Sequence, residues 1–269
     1  MKKSYIYLCF LAMCQLASNA VFAQSASDEI AKYRAMLADG NPAELVEGQG
    51  EVLWKTQRGP NNVSLEKCDF GKGPGVIKGV YAEMPRYFKD VNAVMDFESR
   101  LVHCMVTLQG FTREDVIKKP FSSQGERATE LEALTSYAVA ESRGMKISVP
   151  QSHPKEKAAF ARGEKAFFYR GGPFDFNCAS CHSSDEKRIR LQDLPNLLNS
   201  SQAQKAFATW PAYRVSQGAV RTMQWRLNDC FRQQRFPDLQ YGSLTSIDLI
   251  TFLGVMAKNG TMDAPALKR

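Results

Sequence analysis

The sequence predicts an all-α protein composed of two helical domains. Apolar residues recur at helical spacing in most segments, whereas the alternating pattern of a half-buried strand is scarce. The stretch from Gly144 to Pro154 interrupts the helical pattern near the middle of the chain. We therefore expect a first domain over residues 24–145 and a second over residues 146–269.

The first 23 residues are expected to be a signal peptide. Two lysines open the chain, and a mostly apolar stretch follows from Tyr5 to Leu16. Small residues then precede a cleavage point between Ala23 and Gln24. A retained anchor is the alternative. No later stretch is long and apolar enough to cross a membrane, so we expect a secreted, periplasmic protein without a membrane span.

Eight segments have the apolar spacing of a helix. They cover residues 27–46, 91–108, 112–118, 128–143, 155–169, 201–207, 216–232 and 246–258. Residues 47–80 contain many glycines, prolines and asparagines and predict an irregular loop. The two domains are thus similar in size and in helical content, although the sequence contains no strict repeat.

The chain is basic, with a formal net charge of +7 at pH 7. Such a charge is typical of a solvated surface and would also attract an acidic partner or a small anion. No run of lysines and arginines alternates with aromatic residues, and no nucleic-acid-binding motif is present. We therefore exclude nucleic acid as a partner.

The cysteines carry most of the functional information. Cleavage of the signal peptide would leave five, an odd number in an oxidising compartment, so each requires a role as bridge, thioether, ligand or reactive thiol. These five are Cys68, Cys104, Cys178, Cys181 and Cys230.

Cys178, Cys181 and His182 form the motif C-x-x-C-H. Two thiols one helical turn apart can reach the two vinyl groups of a porphyrin, and the adjacent imidazole can reach the iron. The motif predicts one covalently bound haem c. A thioredoxin-like site would need a βαβ setting, and a zinc site would need two more ligands at matching spacing; neither is present.

The sixth position of the iron has three candidate ligands, Met223, Met256 and Cys230. Methionine is the usual ligand in electron-transfer cytochromes. Cys230 is favoured here because it is the odd thiol and because Arg226, four residues earlier, lies on the same helical face. A neighbouring guanidinium favours the thiolate form of a cysteine.

Beyond this motif, nearly the whole mature chain resembles the SoxA family of c-type cytochromes. The resemblance is carried by six segments. They are Ser64–Asp69, Gly73–Gly75, Met84–Phe88, Met95–Leu101 with the nearby Cys104, Asn177–His182 and Arg226–Arg235.

The resemblance implies two cytochrome c-like domains, of which the N-terminal one lacks haem. Some members of the family have a second C-x-x-C-H in that domain, but here Cys68 is followed by Asp69-Phe70-Gly71-Lys72. The second thiol and the histidine are therefore missing. As in the single-haem members, Cys68 is expected to form a disulfide with Cys104.

The resemblance also assigns roles in the second domain. His182 and Cys230 would be the axial ligands of the iron, with Cys230 also handling sulfur as a thiolate or persulfide, and Arg226 would bind the substrate. The implied activity joins thiosulfate to a cysteine of the carrier SoxYZ and passes electrons through haem to a small cytochrome c. A SoxX-type cytochrome would be the partner subunit. The rival interpretations are a plain electron-transfer cytochrome, a haem-bearing scaffold, and a thiosulfate dehydrogenase that forms tetrathionate.

Overall fold

The structure is a computed structural model that describes residues 40–189 and 192–268. The predicted signal peptide and most of the predicted helix at 27–46 lie outside these residues. Within them, no helix is long and apolar enough to cross a bilayer.

The described residues contain nine α-helices, and the mainly helical prediction is confirmed. The first four are α1 (Ala43–Lys55), α2 (Phe97–Thr107), α3 (Arg113–Ile117) and α4 (Glu130–Ala140). The other five are α5 (Pro154–Phe168), α6 (Cys178–His182), α7 (Ser200–Ala208), α8 (Met223–Gln233) and α9 (Leu244–Met256). Single 3₁₀ turns occur at Leu65–Lys67, Tyr81–Glu83 and Val215–Gln217.

Seven short strands, which the all-α prediction did not include, accompany the helices in the described residues. Two hairpins consist of β1 (Arg86–Phe88) with β2 (Ala93–Met95) and of β3 (Arg188–Ile189) with β4 (Gln192–Asp193). A three-stranded sheet has the order β6 (Ala219–Arg221), β5 (Ala212–Arg214), β7 (Ala266–Lys268), with β5 and β7 parallel.

Helix caps explain two of the differences between prediction and structure. The helices predicted to start at 91 and 216 begin after Asp96 and Thr222, whose side chains accept hydrogen bonds from the backbone N–H groups of Ser99 and Trp225. An N-cap residue has extended backbone geometry. The residues just before these two caps belong to strands β2 and β6. A third difference is that α1 continues to Lys55, into the segment predicted to be an irregular loop.

In the N-terminal half, α1 crosses α4 at a glycine. A Cβ atom on Gly50 would lie 2.0 Å from the carbonyl oxygen of Ala133 and 2.7 Å from the Cβ of Tyr137. Only the absence of a side chain therefore permits this approach. One turn further along α1, Trp54 packs on Tyr137, with ring centroids 6.4 Å apart.

The C-terminal half repeats this arrangement where α5 crosses α9. A Cβ atom on Gly163 would lie 2.0 Å from the carbonyl oxygen of Asp248 and 2.9 Å from the Cβ of Phe252. One turn later, Phe167 packs on Phe252 at 5.1 Å. Both halves thus share one arrangement. A glycine lies at the crossing, and the aromatic residue four positions after the glycine packs on an aromatic residue of the other helix. That second aromatic residue lies four positions after the residue whose carbonyl oxygen the glycine approaches.

The crossing can be tested within a single helix. We expect Gly50→Ala to lower the free energy of unfolding by about 1–3 kcal/mol, because the added methyl group overlaps the backbone of α4. Gly48 in the same helix is exposed and has nothing within 4 Å of its Cβ position. Gly48→Ala is therefore expected to raise stability by about 0.5–1 kcal/mol through helix propensity. Urea unfolding of both variants measures the difference, and equal midpoints would contradict the close crossing.

Cys68 and Cys104 form a disulfide in the N-terminal half, as the resemblance implies. Both residues are buried, and their Cα atoms are 5.8 Å apart. Cys68 follows a 3₁₀ turn and Cys104 lies in α2, so the bridge joins an irregular segment to a helix. With a sequence separation of 36 between its ends, a link of this kind contributes about 4 kcal/mol in the chain-entropy model.

Helix α8 begins against residues of the N-terminal half. The amide of Gln224 donates to Asp96 Oδ2 at 2.7 Å. Arg221, directly before the helix, donates to the buried carboxylate of Glu132 at 3.1 Å and to the carbonyl of Ser122 at 2.6 Å. The apolar core is likewise continuous between the two halves.

Candidate haem site

The C-x-x-C-H motif forms the one-turn helix α6. Asn177 caps this helix, with its side chain accepting from the backbone N–H of Ser180 at 2.6 Å and the Ser180 hydroxyl accepting from the Asn177 N–H at 3.2 Å. The amide group of Asn177 also donates to the carbonyl of Phe168 at 2.8 Å. These bonds tie the motif to the end of α5 and place Cys178 and Cys181 one turn apart.

Three free thiols meet at this site. Cys178, Cys181 and Cys230 are unbridged and half-buried. Burial, followed by the neighbouring Cys230 and Cys181, raises the pKa of Cys178 to about 12, and Cys181 also acts on Cys230. The fold thus places Cys230 of α8 near enough to act electrostatically on the motif cysteines, while its role as an iron ligand stays a prediction.

His182 is oriented by the loop that follows the motif. Its Nδ1 lies 2.9 Å from the carbonyl oxygen of Pro195, which can only accept a hydrogen bond, so Nδ1 carries the proton. Burial lowers the pKa of His182, and the positive charge of Arg226 acts in the same direction. The neutral ring with a free Nε2 is the form that binds a metal.

Exposed apolar side chains are concentrated in the sequence around the motif. Six of the eleven large apolar side chains that are exposed among the described residues lie between positions 168 and 198. They are Phe168, Tyr169, Phe174, Phe176, Ile189 and Leu198. Such a concentration of exposed apolar side chains favours a binding site here. Together with two free thiols and an available imidazole nitrogen, it fits a porphyrin attached through Cys178 and Cys181 with its iron on His182.

Arg226 pairs with an acidic neighbour on its own helix. Its Nη1 donates to Asp229 Oδ2 at 3.0 Å, and the same carboxylate accepts from Arg232 at 2.6 Å and from Gln233 at 2.8 Å. One nitrogen of the guanidinium is therefore engaged, and a guanidinium has five N–H donors. The remaining donors can bind an anion.

The charge of Arg226 lowers the pKa of Cys230, which is the predicted direction, but burial has a larger effect on that pKa. Burial raises the pKa of the Cys230 thiol, while Arg226 lowers it and Asp229 raises it. The protein alone therefore favours the thiol. A metal ion that coordinates the sulfur deprotonates it, which makes the thiolate a property of the iron-bound state.

The other sequence candidates lie elsewhere. Met223 is buried at the start of α8 and lines a small cavity with Tyr81 and Asp96, and Met256 packs against the core. His103 is 3.7 Å from Asp90, and His153 caps α5. In the part of the chain that the structure describes, no group of three or more His, Cys, Asp or Glu side chains is placed to hold a bare metal ion.

Two cations near this site, Arg214 and Lys268, were not predicted from the sequence. Arg214 acts electrostatically on Cys230 and on Arg226, and Lys268 is influenced by Arg214 and Arg226. Neither residue belongs to a motif. Only the pairing of β5 with β7 brings them together, so the sequence contains no local signal for them.

A thiol pair and an oriented imidazole on one helical turn, set in an apolar surface between helices, define a c-type cytochrome. The family described as SoxA/TsdA, cytochrome c domain, matches residues 49–147. The L-cysteine S-thiosulfotransferase subunit SoxA of Hydrogenophilus thermoluteolus is 47% identical over 277 residues, which cover all of both chains. The chain belongs to the SoxA family.

Two further comparisons agree with this assignment. A SoxA subunit of the same description from Hydrogenobacter thermophilus is 29% identical over 250 residues, covering 91% of this chain and 90% of that protein. The crystal structure of SoxXA from P. pantotrophus matches with a TM-score of 0.72 and 21% identity, over 88% of this chain and 84% of that one. The likeness to this structure shows the fold.

Proposed function

We propose that this chain is the SoxA subunit of an L-cysteine S-thiosulfotransferase, the activity for which its relatives are named. The observation that carries the proposal is the meeting of Cys230 and Arg226 with the haem motif. A cytochrome that only transfers electrons needs neither a free thiol nor a guanidinium near its haem motif.

The overall reaction joins two sulfur atoms and releases two electrons. The thiol of a carrier cysteine and the outer sulfur of thiosulfate form an S–S bond, which gives a cysteine S-thiosulfonate, one proton and two electrons. The electrons leave to a cytochrome acceptor. The thiolate of Cys230 first bonds the outer sulfur, with loss of these two electrons. The carrier thiolate then attacks that sulfur and displaces Cys230.

The residues of the chain have separate tasks in this scheme. Cys230 is the nucleophile and, together with His182, would hold the iron of a bound haem. Arg226 holds the sulfonate end of thiosulfate through charge-assisted hydrogen bonds, for which a planar guanidinium is suited. Haem, when bound, supplies the one-electron redox chemistry.

The chain is proposed to hold one haem, in its C-terminal domain, while residues 24–145 form a cytochrome c-like domain without haem. The match to a cytochrome c domain over 49–147 and the repeated helix crossing support this division. Near the position of a second motif, Phe70 is fully buried and stacks on Phe97 at 4.7 Å. Lys72 pairs with Glu83 at 2.7 Å, and Cys68 is used in the disulfide.

The partners and the compartment follow from the same proposal. A SoxX-type cytochrome would form the heterodimer, SoxYZ would supply the carrier cysteine, and a small cytochrome c would accept the electrons. The solved structure of similar fold is titled SoxXA, which favours such a pairing. A structural disulfide suits an oxidising compartment, in agreement with a periplasmic location.

One haem per chain is the expected result for the purified mature protein. The thioether bonds survive denaturation, so the chain should also remain coloured on a denaturing gel. A pyridine haemochrome assay normalised to protein gives the stoichiometry. Two haems per chain would contradict the interpretation of Cys68–Lys72 as a segment that does not bind haem.

The activity is tested by incubating the chain and its partner subunit with thiosulfate, the carrier protein and an oxidised cytochrome. The proposal expects the carrier to gain one thiosulfate group while two equivalents of cytochrome are reduced. Tetrathionate formed without modification of the carrier would favour a thiosulfate dehydrogenase. A protein that exchanges electrons and forms neither product would be a plain electron-transfer cytochrome.

A further inference from the structure

Two cations, Arg214 and Arg226, act electrostatically on Cys230, and a third, Lys268, lies next to Arg214. Arg214 ends β5, and Lys268 lies directly opposite it in the parallel strand β7. Arg226, on α8, acts electrostatically on both, and Arg214 acts on Cys230. A helix and a strand therefore place positive charge near this thiol, and the neighbouring strand adds Lys268 beside Arg214.

The positive charges of Arg214 and Lys268 are only weakly offset by the groups around them. The Nε of Arg214 is buried and has no hydrogen-bond partner. Lys268 Nζ lies 5.5 Å from the centre of the Trp210 ring, a cation–π contact that leaves its N–H donors available. The carboxylate that acts on Arg214, Asp229, already accepts from Arg226, Arg232 and Gln233.

The protonated forms of both residues are destabilised by their surroundings. Burial and then Arg226 lower the pKa of Arg214. Burial, followed by Arg214, Arg226 and Lys205, lowers the pKa of Lys268 to about 8. Because burial and like charges both oppose the charged forms, an anion placed among these groups would stabilise them.

We propose that Arg214 and Lys268 are substrate-binding residues that, together with Arg226, hold the sulfonate group of thiosulfate beside Cys230. The inference rests on the proposed function and extends its anion site from one residue to three. Thiosulfate is a dianion, and Arg226 shares its charge with Asp229. A sulfonate has three oxygens, enough for a separate donor from each of the three cations, while the outer sulfur stays free to meet Cys230.

The test is the affinity of the complete haem-containing complex for thiosulfate, measured by titration calorimetry without carrier or acceptor. We expect Arg214→Gln and Lys268→Gln each to weaken binding about tenfold or more, since a hydrogen bond to a charged group is worth about 1.5–3 kcal/mol. Lys205→Gln is the matched control, because Lys205 is an exposed lysine near Lys268. Its affinity should equal that of the wild type.

The pH dependence gives a readout that a purely structural role would not change. Lys268 faces Arg214, Arg226, Lys205 and the ring of Trp210. It loses its proton as the pH rises through about 8 in the free protein, so the affinity of the wild type should fall above that pH. Lys268→Arg keeps its charge and should bind thiosulfate without this fall.

The outcomes separate this inference from the function on which it rests. Wild-type affinity in both glutamine variants would overturn the three-cation site, as would a wild-type complex that does not bind thiosulfate. A complex that binds thiosulfate through these residues but never modifies the carrier would refute the transferase and retain the anion site. An unchanged visible spectrum in each variant shows that the haem and fold are intact.

Discussion

Replacing Cys230 by methionine is expected to change the haem and abolish the reaction together. The thioether would ligate iron in place of the thiolate, which shifts the optical spectrum and raises the reduction potential because a thioether favours ferrous iron. The nucleophile would also be lost, and removing such a group lowers turnover by a factor on the order of 10³ or more. Spectra, a redox titration and the carrier assay measure the three effects.

Met223→Leu is the matched control for this variant. Met223 lies on the same helix and was a candidate for the same ligand position, but it is buried in a cavity with Tyr81. Its replacement should leave the spectrum unchanged. The assignment of Cys230 would be wrong if Cys230→Met kept the wild-type spectrum while Met223→Leu or Met256→Leu altered it.

Arg226→Ala should keep the haem and the fold but lose at least tenfold in thiosulfate-dependent turnover. Charge-assisted bonds to a dianion are worth about 1.5–3 kcal/mol each, and about 1.4 kcal/mol corresponds to a factor of ten. Asp229 keeps Arg232 and Gln233 as partners when Arg226 is removed, so the helix should remain ordered. Arg226→Lys is expected to restore little, because an ammonium lacks the planar fork.

Arg232→Ala separates substrate binding from the ion pair. Arg232 donates to the same carboxylate from the same helix, but its side chain is 71% exposed. Exposed pairs contribute about 0–1 kcal/mol, so turnover should be close to that of the wild type. Equal losses in Arg226→Ala and Arg232→Ala would show that Arg226 acts only by holding Asp229.

The features that the sequence predicted are local ones. The haem motif is complete within five residues, and most helices follow from apolar spacing, although two of them begin later than predicted, after the caps Asp96 and Thr222. The assignment of Cys230 as an iron ligand rests on family resemblance and on the odd count of thiols, and it stays a prediction. Each of these signals lies within a few turns of chain or within a matched family segment.

The features that escaped prediction depend on pairing between distant segments. The repeated crossings involve glycines and aromatic residues, but Gly50 and Gly48 are alike in the sequence until α4 is placed against one of them. The three-stranded sheet consists of strands of only three residues, too short for an alternating pattern to be evident. For the same reason Arg214 and Lys268 were indistinguishable from surface cations.

The contact of Arg221 with Glu132 has a consequence for dividing this protein. The helix that carries Cys230 starts next to a buried guanidinium whose acidic partner belongs to the half without a haem motif. Cutting the chain at the predicted domain boundary, between residues 145 and 146, would leave the guanidinium without its counter-ion. Breaking a buried pair in this way costs about 3–5 kcal/mol. A C-terminal fragment would therefore contain every ligand and thiol of the haem site and still lack the residues against which the helix that carries Cys230 begins.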